Sequence, residues 1–179
     1  MNFSTFGPFP LQEWSKKGLR EFWLNTDRVQ AELGYPPNLD RGIGVYILVA
    51  ELRSGELVPW YVGKTDKGFG IRFRQHLAGR KLAPLFEMKV VAIRVFVIAL
   101  VTSAGKLKRK LSAAGFVRSI DRLEFALIGS CLEKNKNLIN TKEKVFQKGL
   151  HVPGYLNSEP KNYDESAQQL AKMLEVRRK

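Results

Sequence analysis

The feature that most constrains this chain is the stretch Gly44–His76, in which two short apolar segments each carry a tyrosine. The segments are GVY at Gly44–Tyr46 and YVG at Tyr61–Gly63. Their apolar character predicts two antiparallel β-strands, and the RSGE sequence at 53–56 predicts the turn between them. A loop containing glycines follows, and a helix from Phe69 would bring basic side chains close to both phenols.

The periodicity of apolar residues predicts the remaining elements. We expect an irregular arm at residues 1–10, because Gly7, Pro8 and Pro10 interrupt regular structure. The other predicted elements are helices at 11–33, 69–78, 119–133 and from about 164 onward, and strands at 44–51, 57–63 and 89–102. The chain is therefore expected to be an α/β protein with a small central antiparallel or mixed sheet of about three strands, flanked by helices.

A proline-rich segment divides this pattern into regions. GYPPNLDRG at Gly34–Gly42 contains two prolines that cannot continue a helix, so it marks a boundary. We predict a helical N-terminal appendage at residues 1–40, a core at 41–142, and a C-terminal loop and helix at 143–179.

The charge of the chain favours a polyanionic partner. Its 179 residues include 30 Lys and Arg against 17 Asp and Glu, a formal net charge of +13. This excess suits nucleic acids, although it also suits anionic membranes, and many basic proteins have neither ligand. One cysteine and two histidines are too few for a recognisable zinc site. Because we find neither a signal-peptide pattern nor a membrane-spanning run, we expect a cytoplasmic protein.

Glu124 is the most informative single residue. It lies in the apolar stripe of the predicted helix 119–133, four residues before Ile128. A carboxylate that faces a core is costly unless a cation compensates its charge. Two interpretations are open: a bound metal ion, or a buried salt bridge with a residue such as Arg72 or Arg94.

Two further pairs of residues could carry chemistry. Arg72 and His76 lie one turn apart on the predicted helix 69–78 and share a face. A solvated basic face is the more common outcome for such a pair. Tyr46 and Tyr61 lie on neighbouring strands, where side chains approach closely, but strand tyrosines more often belong to the core. Neither pair specifies a function alone.

In their order along the chain, these residues resemble the GIY-YIG nuclease family. The matching features are GVY, YVG, Arg-x-x-x-His, an acidic residue on a later helix, and an NLIN segment that ends at Asn140. They extend over a little over half of the chain. YVG followed by Lys64 is similar to excision-repair and restriction enzymes, and the Arg-x-x-x-His spacing is similar to homing and restriction endonucleases.

The chain departs from the family pattern in three places. Val45 stands where isoleucine is usual, and the spacer between the two tyrosine motifs is somewhat longer than usual. The step from Glu124 to Asn140 is also long, which leaves Asn137 as the alternative to Asn140.

The resemblance implies a metal-dependent DNA endonuclease that hydrolyses phosphodiester bonds. Glu124 would be the ligand of one divalent cation, Mg²⁺ or Mn²⁺, since a site with one carboxylate and several waters suits Mg²⁺. Arg72 would hold the scissile phosphate with its planar fork. Tyr61 would bind the phosphate or the attacking water, and Asn140 would brace the site.

The resemblance leaves the general base open between two residues. Tyr46 would be the base, or would position the water, and His76 is the alternative. Lys64 and Arg72 nearby would lower the pKa of the Tyr46 phenol by favouring its ionised form.

Basic residues outside this set are the expected contacts with backbone phosphates. They are Arg74, Arg80, Lys81, Lys106, Lys108, Arg109, Lys110 and Arg118. We expect double-stranded DNA rather than a membrane as the partner. The protein would be a restriction-type nuclease, or a nuclease of a phage or a mobile element. Cutting both strands would be achieved by a homodimer.

Three alternatives stay open at the level of the sequence. The first is a repair, structure-selective or RNA nuclease with the same chemistry. The second is a catalytically inactive nucleic-acid-binding module of the same fold. The third is a basic structural protein.

Overall fold

The computed structural model of the chain describes residues 2–33, 36–79, 82–88, 90–111, 114–135, 137–140, 152–153 and 164–174. Its strands are β1 (Asn2–Leu11), β2 (Gly44–Glu51), β3 (Leu57–Thr65) and β4 (Ala92–Val101). Its helices are α1 (Lys16–Glu32), α2 (Phe69–Ala78), α3 (Ala83–Phe86), α4 (Ala114–Lys134) and α5 (Glu165–Met173), with a 3₁₀ turn at Leu39–Arg41.

The four strands form one antiparallel sheet in the order β1-β4-β2-β3. The expected α/β architecture with helices flanking a sheet is confirmed, but the expected number of about three strands is wrong. The additional strand is β1, which pairs with β4 along the edge opposite β3.

The expectation of an irregular arm at residues 1–10 is wrong for a physical reason. A proline cannot donate a backbone hydrogen bond, which excludes it from central strands but not from an edge strand. β1 is such an edge strand, and it tolerates Pro8 and Pro10 with a register shift between Phe6 and Phe9. Burial of Phe3, Phe6 and Phe9 holds it on the sheet.

β2 is buried on both faces, as its continuous apolar sequence predicts. Val45, Ile47 and Val49 face a core that α4 and α5 complete, whereas the alternate residues face a second core formed with α1 and α2. The sheet is therefore covered on both sides. The predicted helices at 69–78 and 119–133 are confirmed as α2 and as the larger part of α4.

The N-terminal helix begins later than predicted. Ser15 is its N-cap, with the Gly18 N–H donating to Ser15 Oγ at 2.9 Å, because residues up to Leu11 belong to β1. The predicted C-terminal helix is confirmed as α5, whose N-cap is Asp164. The division at 40 and 142 stays a prediction. Among the described residues, no helix combines the length and apolarity needed to cross a bilayer.

The outer edge of β3 is covered by the segment that follows α4. Asn135 Nδ2 donates to the Pro59 carbonyl at 2.8 Å, and the Ile139 N–H donates to the Trp60 carbonyl at 2.9 Å. A covered edge is protected from pairing with another chain. The same segment delivers Asn140 to the end of β3 that leads into α2.

Candidate active site

A pocket of about 510 Å³ lies at the β3 edge, where α2 and α4 approach from opposite faces of the sheet. Side chains that are distant in sequence line it together. They include Tyr61 and Lys64 from β3, Arg72 and Gln75 from α2, Asp121 and Glu124 from α4, and Asn140. The pocket thus contains five of the seven residues that the sequence nominates for catalysis, and the other two, Tyr46 and His76, lie directly behind Tyr61.

The two tyrosine motifs are coupled by packing. Tyr46 lies opposite Gly63 in the register of β2 and β3. A Cβ atom at position 63 would overlap the hydroxyl group of Tyr46. The glycine of YVG therefore makes room for the phenol of GVY, and any larger residue at this position would displace that phenol.

Both phenols converge on one nitrogen of His76. Tyr46 OH lies 2.5 Å from His76 Nε2, and Tyr61 OH lies 3.5 Å from the same atom. Tyr46 is fully buried, and Tyr61 and His76 are nearly so. When His76 carries its proton on Nδ1, Nε2 accepts a hydrogen bond from the Tyr46 hydroxyl group.

The pKa of the Tyr46 phenol is raised well above its ordinary value, so the expectation of a lowered pKa is wrong. Burial is the largest cause, and the neighbouring Tyr61 raises the pKa further. Arg72 lowers it, as expected from its charge, but does not outweigh burial. Tyr46 is therefore a neutral phenol at physiological pH and is not a ready proton acceptor.

Arg72 presents an unused donor next to the pocket. Its Nη1 donates to Gln75 Oε1 at 3.2 Å. Its Nε is buried and has no hydrogen-bond partner within the part of the chain that the structure describes. A buried donor without a partner is costly, and an anion in the pocket would satisfy it.

Glu124 faces the pocket, at the margin of the apolar stripe, and its side chain is 12% exposed. Lys64 Nζ lies 3.0 Å from Glu124 Oε2 and 2.6 Å from Asp121 Oδ1. The salt bridge considered from the sequence thus exists, but its cation is Lys64. Arg94 instead binds Glu51 through Nε and Oε2 at 2.5 Å, and Arg72 donates to Gln75 through Nη1.

The pKa of the Lys64 ammonium is raised above its ordinary value. Partial burial acts to lower it, but hydrogen bonds to Asp121 and Glu124 and the charges of these carboxylates outweigh burial. Lys64 therefore carries a full positive charge at neutral pH.

Asp121 is the site residue that sequence reasoning missed. It lies three residues before Glu124 on α4, and this spacing puts both carboxylates on one side of the helix. That spacing was the signal that could have found it. Aspartates at helix surfaces are common, however, and only the contact with Lys64 shows that this one belongs to the site.

The donor chemistry of the α4 side fits a hard divalent cation. Two carboxylates lie within hydrogen-bond reach of one ammonium, so the structure already places a positive charge at this position. No group of three or more His, Cys, Asp or Glu residues suited to a metal occurs within the described ranges. A cation bound here would keep several waters, which suits Mg²⁺ or Mn²⁺ better than zinc.

Asn140, and not Asn137, is the asparagine at the pocket. Its Oδ1 accepts from the Val62 N–H and its Nδ2 donates to the Val62 carbonyl, both at 2.7 Å. The side chain thus imitates a neighbouring strand and fixes β3 between Tyr61 and Lys64. Asn137 is exposed and does not line the pocket.

Most of the nominated basic residues with described positions lie at one end of the sheet. Lys106–Lys110 follow β4 and continue its pairing, with the Lys108 N–H donating to the Leu100 carbonyl. β3 leads into α2 at the same end of the sheet. Gly44, the first residue of β2, pairs there with Thr65 of β3 on one side and with Ala99 of β4 on the other.

The other basic residues are distributed more widely. Arg118 is exposed on the first half of α4. Arg74 lines a separate groove between α1 and α2. Arg80 and Lys81 lie outside the described residues.

Comparison with known proteins adds no relative. No protein-family model, no curated protein and no solved structure matches the chain.

Proposed function

We propose that the chain is a metal-dependent DNA endonuclease with a GIY-YIG-type site. The observation that carries the proposal is the meeting of Arg72, Tyr61 and Glu124 in one pocket, although they lie on three elements. A guanidinium, a phenol and a carboxylate are the groups that phosphodiester hydrolysis needs for binding the phosphate, placing water and holding a cation.

Arg72 is the group that binds the scissile phosphate. Its buried Nε lacks a partner among the described residues, and it lies beside Tyr61 and Lys64 on the pocket wall. Charge-assisted hydrogen bonds from a guanidinium to phosphate oxygens are strong and directional. The phosphate would thus be placed between α2 and α4.

His76 is the better candidate for the general base. Tyr46 is buried and its raised pKa keeps it protonated. Tyr61 lines the pocket and also approaches His76 Nε2. It can take a proton from an attacking water while giving its own to the imidazole, once the Tyr46 hydroxyl group has turned its hydrogen away from the single Nε2 lone pair. The Tyr61–His76 distance of 3.5 Å is long for a hydrogen bond, and such contacts shorten in substrate complexes.

Glu124 would hold the divalent cation from the α4 side. A cation bound there would neutralise charge on the phosphoryl oxygens and on the leaving oxygen. The exposed lysines after β4 would hold flanking phosphates, which predicts DNA binding that weakens steeply with salt.

A catalytically inactive nucleic-acid-binding module is the second candidate. The observation that favours it is the ion pair between Lys64 and Glu124, which neutralises the acid that the metal needs. The contacts of both phenols with the buried His76 argue for catalysis, because a module that only binds phosphate has no use for a proton acceptor there.

One cleavage assay separates these functions. The protein is incubated with supercoiled plasmid, linear duplex and RNA, with Mg²⁺ or with a chelator. We expect DNA cleavage only with Mg²⁺, and a loss of about 100-fold or more in Arg72→Ala, since that side chain stabilises charge in the transition state.

The matched control is Arg28→Ala, which removes an exposed arginine on α1 and should keep full activity. DNA binding without cleavage in any metal would select the inactive module. Cleavage of RNA alone would reassign the substrate.

A further inference from the structure

The α4 side of the pocket holds a positive charge where the proposed cation would bind. Lys64 Nζ contacts Glu124 Oε2 at 3.0 Å and Asp121 Oδ1 at 2.6 Å. A divalent cation bound to Glu124 would lie within a few ångströms of this ammonium, and like charges at that distance repel strongly. The ammonium and the cation therefore compete for one carboxylate.

The Lys64 ammonium can also lie beside residues of α4 other than Glu124. Its nearer partner is Asp121, whose side chain is 35% exposed against 12% for Glu124. Its Nζ also lies 5.7 Å from the ring centroid of Phe125, which is four residues after Asp121 and shares its face of α4. A flexible four-carbon side chain can shift toward Asp121 and Phe125 without moving the strand.

We infer that Lys64 is a built-in counter-ion that occupies Glu124 until a divalent cation displaces it, and that Asp121 is the positioning residue that then retains Lys64. This inference rests on the proposed function only in taking Glu124 as the ligand of the cation. It explains why a lysine follows YVG directly in this chain: β3 directs Tyr61 to the α2 face and Lys64 to the α4 face.

The affinity of Glu124 for the cation therefore depends on Lys64, a residue that does not bind the cation. Removing the ammonium should strengthen binding, because Glu124 is then free of its competitor. Removing the Asp121 charge should weaken binding, because Lys64 then remains on Glu124. If Lys64 merely maintained the fold of the site, removing the ammonium would weaken cation binding instead of strengthening it.

Direct titration of Mn²⁺ by electron paramagnetic resonance, without DNA, measures this affinity. Relative to the wild type, we expect the Kd for Mn²⁺ to fall about tenfold in Lys64→Met and to rise about threefold in Asp121→Asn, which are ordinary sizes for coupled sites. Lys64→Arg keeps the charge and should leave the Kd within about twofold. Glu124→Gln should abolish binding at this site in both the wild-type and the Lys64→Met background.

The double variant Lys64→Met/Asp121→Asn decides how Asp121 acts. If Asp121 acts through Lys64, its replacement changes nothing once Lys64 is gone, and the double variant has the Kd of Lys64→Met. If Asp121 is itself a ligand, the double variant binds Mn²⁺ clearly more weakly than Lys64→Met, and the positioning role is overturned.

Two further outcomes overturn the inference. One is a Kd in Lys64→Met that equals or exceeds the wild-type value, and the other is unchanged binding in Asp121→Asn. Asp121→Asn retains the ion pair at Glu124, so it tests the inference even if Lys64→Met does not fold, which thermal unfolding monitors.

The titration is independent of the cleavage assay. Mn²⁺ competition without any DNA cleavage would refute the proposed function and leave this inference standing. DNA cleavage together with a Kd for Mn²⁺ that does not change when Lys64 is replaced would refute this inference and leave the proposed function standing.

Discussion

The pocket has one wall on the α2 side and one on the α4 side, and different forces hold the two walls together. Behind the α2 wall lies a buried aromatic cluster, in which the Tyr46 ring lies 4.8 Å from the Phe73 ring and 6.1 Å from the Tyr61 ring, measured between centroids. The α4 wall is ionic and partly exposed, and Lys64 is held there between Asp121 and Glu124.

The two walls differ in how readily their side chains can rearrange. Tightly packed rings have few alternative positions, so the α2 wall fixes the geometry of His76 and the two phenols. Partly exposed ion pairs are weak and exchange partners readily, so the α4 wall can accept a cation. Substitutions should therefore disrupt the α2 wall through packing and the α4 wall through charge.

Gly63→Ala should cause the largest combined loss of stability and activity, because it disturbs the aromatic packing directly. The added methyl group would displace the Tyr46 phenol from His76, and overpacking of this kind costs about 1–3 kcal/mol in the free energy of unfolding. We expect cleavage to fall at least about 100-fold, because misplacement of about 1 Å can have this effect. Chemical denaturation and plasmid cleavage measure the two losses.

Gly79→Ala is the matched control for this substitution. Gly79 caps α2 with an ordinary helical conformation, and a Cβ there meets its nearest atom at 3.4 Å. This variant should keep its activity. If Gly63→Ala were as active as Gly79→Ala, the coupling of the two tyrosine motifs would be wrong.

A comparison of His76→Gln with Tyr46→Phe should give the next largest difference. Removing a general base typically costs about 100-fold to 10,000-fold in rate. If His76 is the base, His76→Gln loses this factor in single-turnover cleavage, whereas Tyr46→Phe removes only a hydrogen bond to it and loses less. The opposite order would return the role of base to Tyr46.

Asn140→Ala should have a smaller effect, mainly on stability. It removes two hydrogen bonds of 2.7 Å to Val62, and hydrogen bonds contribute about 1 kcal/mol each. We expect thermal unfolding to show a loss of about 1–3 kcal/mol. Asn137→Ala, on an exposed side chain of the same segment, should change stability by less than about 0.5 kcal/mol. Equal losses in both variants would contradict the bracing role of Asn140.

The smallest effect concerns alkaline unfolding. Since the pKa of Tyr46 is raised in the folded state, its contribution to stability is complete below the unfolded value of about 10 and is lost as pH rises further. Above that pH the unfolded chain has released the proton and the folded chain retains it.

The free energy of unfolding should therefore fall with pH less steeply in Tyr46→Phe than in the wild type, by up to about 1.4 kcal/mol per pH unit. Denaturant titrations between about pH 9 and pH 11.5 span the reference value and measure both slopes. Identical slopes would show that Tyr46 ionises as readily in the folded protein as in the unfolded chain.

The sequence predicts the strands and helices that carry the site because these elements depend on the local pattern of apolar residues. The continuous apolar run of β2, the turn after it and the apolar stripe of α4 are short-range signals, and the structure confirms those elements. Glu124 could be nominated for the same reason, since a carboxylate in such a stripe must meet a positive charge.

What the sequence could not predict depends on tertiary contacts. β1 was missed because its prolines exclude a central strand, and only the sheet order shows that it lies at an edge. The sequence predicts the pKa of Tyr46 in the wrong direction because it shows the neighbouring charges and does not show the burial. Asp121 was missed because its meaning depends on where Lys64 lies.

The most direct test of the account is plasmid cleavage by Glu124→Ala beside Glu133→Ala in Mg²⁺, with DNA binding measured for both. The two variants each remove one glutamate from α4, but only Glu124 faces the pocket, and Glu133 is exposed. We expect Glu124→Ala to bind DNA and cut none of it, while Glu133→Ala cuts at the wild-type rate. Wild-type cleavage by Glu124→Ala would contradict the account.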